Sequence, residues 1–178
     1  MSVDDTVLVQ RCCAGDRAAF DTLILRYQTP VYNAALRLVG NADDAKDVAQ
    51  TVFLKVFLHV ADFDPQYRFF SWLYRITLNE SHNLLGKRRG YAEITGEELD
   101  PRPGPEAQAE GGETVQSIDL ALRQLSLEHR QVIVLRHVLH LSYEAMAETL
   151  QVADKTVKSR LHSARQRMRD LLSLERGV

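Results

Sequence analysis

Six lysine and arginine side chains fall within sixteen residues, DKTVKSRLHSARQRMR (154–169), against one acid, Asp154. The whole chain of 178 residues carries a formal net charge of −2, so this positive charge is a local concentration. Lys and Arg at that density neutralise phosphates and release counterions, a source of nucleic-acid affinity that does not depend on base sequence. The same residues hold a second pattern. Val157, Leu161, Ala164, Met168 and Leu171 recur at helical spacing and form one apolar stripe. Lys155, Lys158, Ser159, His162 and Gln166 fall on the opposite side, and Arg160, Arg165, Arg167 and Arg169 flank it. One face is built to dock and the other to remain polar and cationic. A solvated basic helix with no ligand is the plain alternative.

The residues just upstream decide between these. Ser142 can cap a short helix, YEAMAETL, and QVA makes a tight connection to a second helix capped by Asp154. A short helix, a three-residue turn and a basic second helix match a DNA-reading helix-turn-helix, in which side chains near the start of the second helix reach base edges. The small Ala147 with Val157 and Leu161 suits the close crossing of the two helices. The turn of such motifs often carries Gly. Gln151 stands there instead and takes that backbone at some cost. Residues 118–141 read as one or two amphipathic helices that place Leu125, Val132, Leu135 and Val138 behind the motif and complete a four-helix unit.

A different constellation lies in RFFSWLYRITLNESHN. On a wheel of about 100° per residue, Leu73, Tyr74, Ile76, Thr77, Leu78, Leu84 and Leu85 share one arc. Arg75, Asn79, His82 and Asn83 gather on the other, around Trp72, and Lys87, Arg88 and Arg89 prolong the positive charge. Aromatic rings stack on unpaired bases, amides read their edges, and cations hold the backbone. A single Trp at a helix start, taken by itself, is more often a core residue. The row Arg75, Asn79 and His82 has no packing rationale.

Composition sets the frame. Apolar content of 45% and charged content of 26% are those of an ordinary globular protein. No run approaches a membrane span, and MSVDDTVLVQRCC lacks the pattern of a secretory signal, so a cytoplasmic location and no direct membrane insertion are expected. Nearly every segment reads helical: residues 17–39 between Asp16 and Gly40 with a kink or break at Pro30, a segment from Asn41 to about residue 60, a loop at 62–69, and a helix from about Phe70 to Lys87. Residues 93–113 hold Pro101, Pro103 and Pro105 with seven acids and one base, a net of −6, and cannot bury a core. The expected class is therefore all-α: two small helical domains, 1–92 and 114–178, joined by a flexible acidic linker, 93–113.

Enzyme chemistry finds no foothold. There is no Gly-rich phosphate loop, nucleophile elbow or metal-ligand cluster, so no catalytic residue, cofactor or metal is expected. Cys12 and Cys13 are adjacent and read as reduced thiols at the end of a first helix rather than as a disulfide or metal pair. His137 and His140 read as surface or partly buried side chains.

Three stretches, DDAKDVAQTVFLKVF (43–57), FFSWLYRITLN (69–79) and LSYEAMAETLQVADKTVKSRLHSAR (141–165), in this order and across this linker, resemble bacterial sigma factors of the extracytoplasmic-function (ECF) type in the sigma-70 family. The resemblance covers nearly the whole chain. It implies binding to core RNA polymerase, promoter DNA as template and an anti-sigma factor as regulator. In the polymerase-binding stretch it implies roles for Asp44, Asp47, Gln50, Phe53 and Leu54, with Thr51 where relatives often carry Glu. It assigns the −10 element to Phe63, Tyr67 and Phe69 of the base-capturing loop and to Trp72, Arg75, Asn79, His82, Lys87 and Arg88. It assigns the −35 element to Lys155, Thr156, Lys158, Ser159, Arg160, His162 and Arg165, with Ser163 where relatives often carry Arg. The linker's negative charge suits a polymerase channel built for nucleic acid. The competing reading is a helix-turn-helix regulator that binds DNA without joining polymerase.

Overall fold

The computed structural model describes residues 3–95 and 113–175, and all regular structure among them is helical. Helices α1 (Asp5–Cys13), α2 (Arg17–Val39), α3 (Ala42–His59) and α4 (Phe69–Thr95) form one region, with a 3₁₀ turn at Val60–Asp62 ahead of the loop into α4. Helices α5 (Glu113–Gln124), α6 (Leu127–Ile133), α7 (Tyr143–Leu150) and α8 (Asp154–Glu175) form the other, with a π-helical turn at Val134–Val138 extending α6. Helix α4 continues past its expected end at Lys87, and residues 96–112 of the expected linker lie outside the described residues.

Local chemistry sets the ends. Asp16 accepts from the Ala19 amide, Asn41 from the Asp43 and Asp44 amides, and Ser142 from the Ala145 amide, each satisfying donors that a helix start leaves open. Gly40 closes α2 in the left-handed region, at φ 77°. Of the kink or break expected at Pro30, the break does not occur, for α2 runs through it. A mid-helix proline costs about 3 kcal/mol. Leu23, Val31 and Leu38, all essentially sealed from solvent on the same stripe, each return about 1.5–3 kcal/mol by burial, so packing outweighs the lost hydrogen bond. That stripe meets α3 and α4, whose Val48, Val52, Val56, Leu73 and Leu78 complete the core. Within α4, Thr77 and Ser81 are buried, and their hydroxyls donate to the Leu73 and Thr77 carbonyls at 3.0 and 2.8 Å.

In the second region Ser126 caps α6 and so divides residues 118–141 into two helices rather than one. The π-helical turn is followed by His140 at φ 55°, and this reversal aims the chain into α7. The connection from α7 to α8 passes through Gln151 at φ 54°, ψ 44°, the left-handed cap expected to be costly there. Helix α8 starts at Asp154 itself, with Ala153 accepting from the Thr156 amide at 2.8 Å, so the cap lies one residue earlier than the sequence suggests. Because only Gly adopts the Gln151 conformation without a Cβ penalty, Gln151→Gly is expected to raise unfolding stability by about 0.5–1 kcal/mol. Denaturant midpoints of the two proteins test this, and a lower midpoint for the variant contradicts it.

Candidate nucleic-acid and polymerase interfaces

Helix α8 seats its stripe as expected. Val157, Leu161, Ala164 and Leu171 are buried against α5, α6 and α7, while Lys155, Lys158, Ser159 and His162 are exposed. Thr156 is half-buried beside the turn. The Lys158 ammonium lies 5.8 Å from the centre of the Tyr143 ring, and Arg136 lies 5.3 Å from the same ring. One aromatic of α7 thus carries two cations at the mouth of the motif. Arg160 and Arg165 are held back from the open face. Arg160 donates to Glu128 at 2.9 Å, and Arg165 donates through Nε to His137 Nε2 at 3.3 Å. Burial first, then the charge of Arg165, keeps the His137 imidazole below its ordinary pKa, so it is neutral and able to accept. The cations are evident from the sequence, but these two anchors, which lie 32 and 28 residues away, are not.

On α4 the outer row is present. Asn79, His82 and Lys87 are exposed, and Arg75 is half-buried. At its head, Phe63, Phe69 and Trp72 form an aromatic triangle with ring centres 5.5–5.9 Å apart. Phe69 is the base of that triangle at 4% exposure, so it supports the surface rather than presenting it. Trp72 and Phe63 are half-buried, which reconciles the two readings of Trp72: one side packs, the other remains open. Tyr67 is exposed in a loop held by Asp64, whose carboxylate accepts from the Gln66 amide at 2.9 Å and whose carbonyl accepts from the Tyr67 amide at 3.1 Å.

Two expected site residues meet each other instead. Asp44 is buried, at 8% exposure, and Arg88 reaches both of its oxygens at 2.7 and 2.6 Å. Desolvation raises the Asp44 pKa, and Arg88 only partly offsets it. Asp44 is therefore withdrawn from the open surface of α3 on which the sequence reading placed it, and the Arg88 guanidinium is committed to it across 44 residues of sequence.

The rest of the α3 surface is open. Asp47, Gln50 and Leu54 are exposed, and Phe53 is half-buried in a groove of about 400 Å³ shared with Ile24 and Tyr32 of α2. The row continues further than the sequence indicated, through Phe57 and Leu58, the latter 62% exposed. Consecutive exposed apolar side chains on one helix face mark an interaction surface. Lys55, on another side of α3, pairs with Glu80 of α4 at 2.6 Å and ties the two helices together.

Comparison with known proteins adds a lineage to this geometry. Residues 23–91 match the family model for sigma-70 region 2, and residues 115–168 match that for sigma-70 region 4. The chain is 33% identical over 174 residues to the RNA polymerase sigma-H factor of Pseudomonas aeruginosa, covering 91% of this chain and 90% of that one. It is 32% identical to the ECF RNA polymerase sigma-E factor of Escherichia coli, covering 91% of each. Among solved structures, CnrH in complex with the cytosolic domain of CnrY superposes with a TM-score of 0.76 at 26% identity, over 96% of this chain and 97% of CnrH. The sigma factor RpoE in complex with the anti-sigma factor NepR from Bartonella quintana gives 0.74 at 28% identity, over 86% of this chain and 96% of RpoE. The chain belongs to the extracytoplasmic-function group of the sigma-70 family of RNA polymerase sigma factors.

Proposed function

We propose that this sigma factor docks on core RNA polymerase through α3, melts and holds the −10 element with α4 and the loop before it, and reads the −35 element with α8. The supporting observation is the separation of surfaces. An apolar and acidic row on α3, an aromatic and amide row on α4 and a cationic face on α8 stand on three different helices. A regulator that only binds duplex DNA has no use for the first two. Among the −10 residues, Tyr67, Trp72, Arg75, Asn79, His82 and Lys87 carry the contact, and Phe69 and Arg88 act from behind. Bond-making chemistry belongs to the polymerase. No described helix is long and apolar enough to cross a membrane. The chain works in the cytoplasm, where its polymerase and template are.

Docking is expected to depend on Leu54. Leu54→Glu places a charge in the centre of the row and is expected to weaken core-polymerase binding about tenfold or more, with an unchanged thermal midpoint because the residue is exposed. Equal retention on immobilised core would contradict it. Asn79→Ala is expected to slow open-complex formation about tenfold, the loss of one base-reading amide, while core binding is retained. Permanganate footprinting of the −10 thymines measures this; a footprint of wild-type strength removes the assignment.

The two relatives solved with CnrY and NepR imply a regulator of the same kind here. We assign an anti-sigma factor as the partner that masks the α3 and α8 faces in the resting cell. Affinity purification from the native host tests it, and recovery of polymerase alone contradicts it.

A further inference from the structure

The second half of α4 carries one further face. His82, Leu85, Gly86 and Arg89 recur at helical spacing and line a cavity of about 380 Å³. Arg88 adds to this wall, and Arg123 and Arg130 stand in the wall supplied by α5 and α6. The cavity thus gathers four arginines and a histidine, and among the described residues no acid lines it. The rest of the lining is apolar. Val39 and Leu125 are buried there, and Leu85 and Leu127 are half-buried.

These cations are unequally committed. Arg88 pairs with Asp44, and Arg130 is taken up by backbone carbonyls. Arg123 donates to the Gly40 carbonyl, a neutral partner. Arg89 is exposed and, among the described residues, makes no hydrogen bond or ion pair. Like charges therefore face one another: burial, and then the charges of Arg123 and Arg89, push the Arg130 pKa down to about 10. A recess lined by one sign of charge focuses its field, and an anion seated in it relieves the repulsion. Planar guanidinium forks match phosphate oxygens in pairs. The volume lies in the range of small-molecule sites, about 300–1,000 Å³. Apolar walls beside the cations suit a planar ring, which an inorganic anion lacks.

We propose that this cavity binds a nucleoside polyphosphate: Arg89 and Arg123 hold the phosphates, and the base lies against Leu85, Leu125 and Leu127. Arg88 and Arg130 add their field while keeping their own partners. The lining comes from helices of both regions, so the ligand bridges them and stabilises the fold by mass action. His82 also belongs to the −10 row, so a bound nucleotide abuts that row. This last consequence rests on the promoter-reading function proposed above, whereas the binding itself does not.

Gly86 supplies a test that separates a shaped site from diffuse charge. It lines the cavity, and a Cβ there meets no atom within 4 Å, so a larger side chain has room to grow. Gly86→Leu removes no cation, and leucine is the better helix former. The full chain is titrated calorimetrically with adenosine diphosphate, pyrophosphate and adenosine at physiological salt. One adenosine diphosphate per chain is expected, bound about tenfold or more tightly than pyrophosphate, the gain from burying a ring. Adenosine, which lacks the charge, is expected to bind more weakly by a similar factor. Gly86→Leu is expected to lose about tenfold or more of the affinity for adenosine diphosphate, while its thermal midpoint without ligand stays at or above wild type. Arg89→Ala, at an exposed position, is expected to lose about tenfold, the worth of one charge-assisted contact. Absence of saturable binding, equal affinity for pyrophosphate and adenosine diphosphate, or wild-type affinity in either variant would each overturn the proposal. Binding seen only after the acids of 93–113 are changed to amides would give the cavity to the chain's own acidic segment and overturn it as well.

Discussion

Arg130→Ala is expected to lower the unfolding free energy of the free chain by about 3–5 kcal/mol, a large share of the total stability of a small helical protein. The guanidinium is buried, yet among the described residues it is bonded to no carboxylate. It donates to four carbonyls instead: Leu122 at 2.9 Å, Leu38 at 2.6 Å, Arg123 at 2.7 Å and Leu125 at 3.4 Å. Three of these belong to the end of α5 and its exit, and the fourth to the end of α2, so one cation closes two helix termini. Burial, with the neighbouring charges of Arg123 and Arg89, pushes its pKa down to about 10, so it remains protonated at neutral pH. Removal leaves several buried acceptors without donors, each costing about 1–3 kcal/mol. Arg130→Lys keeps the charge but has one point donor in place of a planar fork, and it is expected to recover less than half of the loss. Urea titration of the three proteins measures both effects. A loss below about 1 kcal/mol for the alanine variant, less than one orphaned acceptor costs, would show that water replaces the guanidinium without penalty.

Loss of two charges from α8 is expected to have the largest effect on binding. Lys155 and Lys158 are exposed at the start of the helix, where a recognition helix meets duplex. Each lysine that neutralises a phosphate contributes about one unit to the slope of log affinity against log salt. The Lys155→Ala, Lys158→Ala double variant should therefore bind a −35 duplex with a slope shallower by about two, and about 10–100-fold more weakly at low salt. Arg160→Ala is expected to change the slope less, because that side chain is turned toward Glu128. The comparison is internal to one helix, so it separates cations that face DNA from those that brace the fold. Equal slopes for the double variant and wild type would move the DNA face elsewhere.

Much of this architecture is legible in the sequence, because the information is local. Caps at Asp16, Asn41 and Ser142 depend on side chains two or three residues from the amides they satisfy. The stripes of α4 and α8 depend on helical period alone, and so do the open faces opposite them. The helix-turn-helix can be placed even with Gln151 in its turn, since the apolar stripe on either side outweighs one strained residue. What is not legible is long-range. Asp44 and Arg88 read as two surface groups, and only tertiary packing brings them together. Phe69 reads as part of the base-capturing loop, but it opens α4 and is buried beneath Phe63 and Trp72. Arg130 sits in LEHRQVIVLR with no mark that its charge is directed inward at carbonyls. Phe57 and Leu58 carry no assigned role in the sequence, and only the packing of α3 shows that they extend its open apolar row. Pro30 shows the same limit from the other direction, since local chemistry argues for a break that the surrounding core overrides.

Whether this chain confers promoter choice on a polymerase is measured most directly by run-off transcription. Purified core RNA polymerase is supplied with a library of genomic fragments, with and without the chain. Discrete transcripts, starting at fixed distances from a shared pair of upstream elements and appearing only when both proteins are present, are the result expected. Transcripts indistinguishable with and without the chain, together with site-specific duplex binding by the chain alone, would contradict it.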